Sequence, residues 1–240
     1  MTEKDACILP VSAFVIDKTM RNTAKKYEFT YKSLMYERTP IELLDNIYMG
    51  DMAKNALFDY LKKHCEKPVI DYDEIRTDNF TEHDPGWDIM VGYNKIKVEI
   101  KSTIQPHGES MSSKIANRDI KNTASHDNGK TWIQPKDLES NIHVQIYFYA
   151  HPWKIGPYNS FEELYNDISK DYTKIDTIIG AKKYNQPWFC GWNTKKNIIK
   201  YASTLSPNTW TFSWTKRIYW RCPIKDSFNL QQLIEVVEKY

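Results

Sequence analysis

Apolar and polar positions alternate most strictly over Lys95-Ile96-Lys97-Val98-Glu99-Ile100-Lys101. Ile96, Val98 and Ile100 face one way and Lys97, Glu99 and Lys101 the other, a period of two that predicts a half-buried strand. Trp87-Asp88-Ile89-Met90-Val91 reads as a short strand before it, joined through the turn Gly92-Tyr93-Asn94 into a hairpin. Residues 142–150 (IHVQIYFYA) form the most strand-like run, of the kind a central strand shows. A short strand and turn are expected over 68–75, and further strands over 175–179, 188–192, 210–214 and 217–222.

Helical spacing dominates residues 39–65, where Ile41, Leu44, Ile47 and Tyr48 are followed by Met52, Ala53, Ala56, Leu57, Tyr60 and Leu61. Pro40 suits a first turn, and Gly50 is expected to divide the stretch into two helices. Shorter helices are predicted over 161–168 and 230–237, the latter on Leu230, Leu233, Ile234 and Val237. Residues 102–140 are polar and read as loop-rich, with a helix around 112–123. The sum is an α/β (α+β) fold, a central mixed sheet flanked by helices. No repeat, low-complexity tract or Gly/Ser linker divides the chain, so a single domain is expected over 1–240. An N-terminal extension over 1–45, with short helices, would pack on a core over 46–240 that ends in aromatic-rich strands.

Composition narrows the class. Hydrophobic residues make up 41% and charged residues 27%, ordinary for a globular domain. No apolar run nears the roughly 20 residues of a membrane span, so no membrane partner is expected. The first residues lack the basic-then-apolar pattern of a secretory signal. Cys7, Cys65, Cys190 and Cys222 are scattered without metal-ligand spacing, which fits a reducing cytoplasm. A net charge of +2 excludes a uniformly basic coat for nucleic acid and turns attention to local clusters.

One such cluster sits on the hairpin. Glu99 and Lys101 project to the same side of their strand, about 7 Å apart. The turn brings Asp88 back beside them. Two converging carboxylates repel unless a cation lies between them, and Mg²⁺ held by one or two carboxylates plus a phosphate is a natural solution. A lysine next to such a metal can orient water and stabilise transition-state charge, which is the chemistry of phosphodiester hydrolysis. The plainer alternative is an exposed hairpin face with cross-strand ion pairs.

Asp84-Pro85-Gly86-Trp87-Asp88 followed by Val98-Glu99-Ile100-Lys101-Ser102 resembles the PD-(D/E)XK nuclease superfamily, which includes many restriction endonucleases. The resemblance is specific over 84–103, looser from about 47 to 192, and absent elsewhere. It implies a restriction-endonuclease-like core, with Asp88 and Glu99 as ligands of Mg²⁺ (or Mn²⁺), the Ile100 carbonyl as a third ligand and Lys101 as the catalytic lysine. Pro85 precedes Asp88 by three residues, whereas the family's proline usually stands directly before its acid. Asp84 therefore remains a competing choice. Asp51, in the helix before the hairpin, is an additional ligand candidate by the same resemblance, and Gly191-Trp192-Asn193-Thr194-Lys195 matches a later hairpin. The implied activity is a DNA endonuclease of restriction type, cutting both strands as a homodimer. A structure-specific repair or junction-resolving nuclease is the alternative with the same chemistry, and a non-cleaving nucleic-acid-binding module the alternative without it.

Other positions carry weaker signals. Lys114, Asn117, Arg118 and Lys121 follow the catalytic strand, and Lys195, Lys196 and Arg217 lie near aromatic residues. All seven are candidates to contact DNA. Asp119-Ile120-Lys121 repeats the acid-x-Lys triplet, but in a polar stretch that reads as a solvated helix face. Trp210, Phe212 and Trp214 read as the buried face of a sheet, His83, His107 and His126 as surface residues, and Gln145 as a strand residue with a structural hydrogen bond.

Overall fold

The alternation at the hairpin divides the central sheet into one apolar face and one polar face. The computed structural model describes residues 2, 5–33, 38–82, 84–105, 110–151, 156–212 and 216–239, without the side chains of Lys114, Ala116, Ala181 and Lys182. The hairpin becomes β3 (Ile89–Val91) and β4 (Ile96–Gln105), with Gly92 at φ +69° opening the connection. The long apolar run becomes β6 (Ile142–Tyr149). With β1 (Cys7–Ile8), β2 (Val69–Asp71) and β7 (Trp188–Thr194) they form a six-stranded sheet in the order β1-β7-β6-β4-β3-β2. Among the described strands of this sheet only β4 and β6 run parallel, and they occupy its centre. A mixed sheet flanked by helices is the expected architecture.

Val98, Ile100, Val144, Ile146 and Phe148 bury the apolar face against α2 (Pro40–His64). Each such side chain contributes roughly 1.5–3 kcal/mol. Thr39 caps α2 in a reciprocal box with Glu42. The helix runs unbroken through Gly50, contrary to the expected division. No atom lies within 4 Å of where a Cβ on Gly50 would sit, so its cost is the propensity penalty of about 1 kcal/mol. Buried Met52, Ala53, Ala56 and Leu57 outweigh it.

The N-terminal segment packs on the core, with one long helix where short ones are expected. It forms α1 (Ala13–Lys32), whose Val15, Met20, Ala24 and Tyr27 enter the same core. Lysines from α1 and α2 also reach the turn after β2, the short α3 (Tyr72–Ile75). Lys18 pairs with Asp71 at 2.6 Å, Lys26 with Asp73 at 2.8 Å, and Lys54 with Asp71 at 2.9 Å and also with Asp73. Breaking such a buried network by removing one partner typically costs about 3–5 kcal/mol.

The polar face is covered in part by a second, three-stranded sheet: β5 (Asn122–Ser125), β8 (Thr209–Thr211) and β9 (Ile218–Trp220), in the order β5-β9-β8. A smaller core of Met111, Ile115, Ile120, Tyr147, Cys190, Ile198, Trp220 and Cys222 joins it to the main sheet, with α4 (Met111–Asn117) and α6 (Lys195–Thr204). The stretch expected to be loop-rich thus carries the end of β4, α4 and β5. α5 (Phe161–Lys170) packs on α1, and α7 (Leu230–Lys239) on β7.

One expected strand and one expected hairpin differ. Residues 175–179 wind into a π-helical turn, Asp176–Gly180, that seats Ile175 and Ile179 in the core. The later hairpin is instead a strand-to-helix junction, where Thr194 ends β7 and caps α6 by accepting from Asn197 N. Of the aromatic stripe, Trp210 stacks on Tyr219 with centroids 4.7 Å apart, while Trp214 lies outside the described residues. Among the described residues, no helix is long and apolar enough to cross a membrane.

Candidate active site

The register of three strands assembles the site. The β3–β4 ladder runs from Val91↔Ile96 to Ile89↔Val98, and Asp88 N then donates to Val98 O at 2.9 Å. One step further, Asp88 stands across from Glu99. Its Oδ2 accepts from Ile100 N at 2.6 Å. A strand residue's N–H and C=O point to the same side, so the Ile100 carbonyl also faces Asp88, beyond the last β3–β4 pair. On the other flank the parallel register sets His143 beside Glu99 and Gln145 beside Lys101.

Each Glu99 oxygen has a partner: Lys101 Nζ reaches Oε1, and His143 Nδ1 lies 3.0 Å from Oε2. His143 is fully buried, and its Nε2 lies 3.2 Å from Ser140 Oγ. Gln145 accepts from Lys121 N at 3.2 Å and donates to the Lys101 carbonyl and to Thr103 Oγ1, each at 3.1 Å. It fixes the backbone of the lysine strand, as its structural reading anticipates.

Burial and charge drive the two acids apart. Burial pushes Asp88 up to about 7; the charge of Glu99 adds to that, and Lys101 and the Ile100 amide oppose it. Burial also works against ionised Glu99, but Lys101 and then His143 outweigh it and hold the group at about 2. For Lys101, burial is outweighed by Glu99 and Asp88, and its pKa rises. The side chains of Glu99 and Lys101 are 15% and 32% exposed, enough for a phosphate to approach.

This donor set suits a hard cation. Asp88, Glu99 and the Ile100 carbonyl offer only oxygen, and Mg²⁺ commonly takes one or two carboxylates, leaving places for water and phosphate. The raised Asp88 pKa reflects in part a like-charged pair that a cation would relieve. Among the described residues, no three His, Cys, Asp or Glu side chains form a ready-made cage.

No protein-family model, curated protein or solved structure matches the chain.

The remaining candidates fall in different places. Asp84 binds Arg76 Nη1 at 2.8 Å, whereas Asp88 is the acid that faces the β4 pair. Asp51 belongs to the buried network of α1 and α2. Its oxygens accept from Lys26 at 2.6 Å and from Thr23 at 3.2 Å, and burial raises its pKa. Asn117 and Arg118 are exposed at the end of α4, and Lys196 is exposed on α6. Lys195 instead donates to Leu138 O at 2.6 Å, holding a loop carbonyl. The side chain of Lys114, and His83 and His107, lie outside the described residues. His126 is exposed.

The second triplet is not a solvated helix face. Asp119 and Ile120 are buried, and Asp119 accepts from Cys222 N at 2.7 Å and pairs with Arg221 at 3.0 Å. Lys121 points to the polar face, where its Nζ lies 3.4 Å from the carbonyl oxygen of Ser102, next to Lys101. The site-facing position of Lys121 and the Glu99 contact of His143 escape sequence reasoning. His143 is hidden in an apolar run, and only the β4–β6 register would have placed it beside Glu99. A groove of about 310 Å³ between α6 and β9, lined by Pro135, Ile199, Asn208 and Trp220, lies apart from these groups.

Proposed function

We propose that the chain is a Mg²⁺-dependent DNA endonuclease of the PD-(D/E)XK type, built on a restriction-endonuclease-like core. The single observation that carries this reading is the convergence of Asp88, Glu99 and Lys101 on a partly exposed sheet face, with Asp88 Oδ2 2.6 Å from the Ile100 amide. Asp88, Glu99 and the Ile100 carbonyl would hold the cation. When bound, Mg²⁺ supplies a Lewis acid that polarises the phosphate and lowers the pKa of a bound water. Lys101, kept charged by Glu99, offers an ammonium to the attacking water and to the negative charge that grows on the phosphate. His143 holds the far oxygen of Glu99 and sets the carboxylate's orientation. Each chain carries one such centre, so cutting both strands at a restriction-type site calls for two copies acting together.

The test is incubation of the full chain with plasmid DNA and with branched duplexes in Mg²⁺ or Mn²⁺, followed by end mapping. Discrete plasmid fragments with fixed ends support the restriction-type reading, and selective cutting at branches moves the assignment to a junction-resolving or repair nuclease. DNA retention with no cutting in either metal overturns the nuclease reading in favour of a binding module.

A further inference from the structure

Lys121 turns its ammonium toward the site. Among the described residues, no carboxylate lies within ion-pair range of its Nζ, whose neighbours are the carbonyl oxygen of Ser102 at 3.4 Å and the face of the Phe212 ring at 5.3 Å. Its nearest charges are cationic. Burial, then Lys101 and Arg217, pull its pKa down to about 7. Lys101 differs, because Glu99 neutralises it.

Holding an uncompensated ammonium in this position is unfavourable unless the protein gains something from it. The surrounding structure nonetheless holds it firmly. Gln145 accepts from the Lys121 amide while donating to the Lys101 carbonyl, so one side chain locks the backbones of both lysines. The Phe212 ring, just after β8, presents its face to the Lys121 ammonium, and Arg217 lies just before β9. Lys121 therefore stands beside Lys101 at a site whose nearer acid, Glu99, is already matched to Lys101. The missing partner is an anion.

We propose that Lys121, supported by Arg217, is a phosphate-binding residue that grips a phosphodiester of the nucleic-acid strand beside Lys101. The inference rests on the reading of the site as a phosphodiesterase, but it concerns binding and needs no metal. An incoming phosphate would place acceptor oxygens on the half-buried Lys121 ammonium, forming charge-assisted hydrogen bonds. Lys121 is thus assigned to positioning the substrate, and Lys101 to the chemistry.

The test uses the full chain in EDTA, with inorganic phosphate and a labelled 16-base-pair duplex as separate ligands. Phosphate should raise the melting temperature of the wild type, and the duplex should bind with a salt-dependent affinity. Lys121→Gln should lose the phosphate response, bind the duplex on the order of tenfold more weakly, and show a salt slope smaller by about one. Its unliganded melting temperature should rise, because an uncompensated cation is gone, whereas a merely structural lysine would lower it. Lys121→Arg should retain both ligand responses. A response to phosphate but not to the duplex would overturn the assignment to nucleic acid, and unchanged binding of both ligands by Lys121→Gln would overturn the grip itself.

Cleavage in Mg²⁺ separates this inference from its parent reading. If the wild type does not cut while Lys121→Gln loses phosphate binding, the nuclease reading falls and the phosphate site stands. If the wild type cuts while Lys121→Gln binds as the wild type does, the reverse holds.

Discussion

Two acid-isoleucine-lysine triplets lie in this chain, and the fold uses them in opposite ways. In Glu99-Ile100-Lys101 the strand points isoleucine into the core and turns both charged side chains to the same face, where they meet each other, Asp88 and His143. In Asp119-Ile120-Lys121 the isoleucine is again buried, but no regular strand carries the triplet. Asp119 is consumed by the Cys222 amide and Arg221, while Lys121 turns to the first triplet. The contrast teaches that a short motif acquires chemistry through the register of its neighbours: β3 and β6 supply Glu99 with companions that Asp119 never meets.

The comparison can be broken at several strengths. Glu99→Gln or Lys101→Ala should lower the rate of DNA cleavage on the order of a thousandfold at saturating Mg²⁺, with duplex binding retained. Plasmid cleavage within threefold of the wild type by either variant would erase the distinction between the triplets. His143→Ala should act next most strongly. By freeing the far oxygen of Glu99 it should raise the half-saturating Mg²⁺ concentration about tenfold to a hundredfold, read from cleavage rate against metal concentration. An unchanged metal dependence would reduce His143 to a packing residue.

Asp119→Ala should leave cleavage close to the wild-type rate and lower stability by about 1–3 kcal/mol in urea unfolding, since a buried amide and Arg221 lose their acceptor. Lost catalysis without lost stability would show that the second triplet belongs to the chemistry. The smallest effect concerns pH. The folded-state pKa of Asp88, about 7, lies above its ordinary 3.8, so its contribution to metal-free stability is full below pH 3.8 and is lost as pH rises through about 7. Asp88→Asn should flatten that slope and raise the melting temperature at pH 8 relative to the wild type. At the proposed metal site a bound cation would displace the Asp88 proton, so the half-saturating Mg²⁺ should fall between pH 6 and 8. A profile rising with pH would contradict the assignment of Asp88.

How far the sequence carries depends on whether an element is specified locally. β3, β4 and β6 are legible because alternation and a long apolar run are properties of the segment itself. The three groups of the site follow from the hairpin alone. Gly50 misleads because packing along α2 overrides a local propensity of about 1 kcal/mol. Residues 175–179 read as a strand, since buried isoleucines look alike in either state, and tertiary context winds them into a π-helical turn. Asp119 reads as solvated because its partners, Cys222 and Arg221, are about a hundred residues away. Lys121 and His143 join the site through the covering sheet and the β4–β6 register, two relations between distant segments that no local pattern encodes.

Glu99 and its neighbours, and not the matching triplet at Asp119, are the proposed phosphodiesterase centre. The most direct measurement is the single-turnover rate of supercoiled plasmid cleavage in saturating Mg²⁺ for the wild type, Glu99→Gln and Asp119→Ala, with each protein confirmed as folded. The wild type and Asp119→Ala should cut, and Glu99→Gln should not. Equal rates for all three proteins, or no cleavage by the wild type in either Mg²⁺ or Mn²⁺, would contradict that assignment.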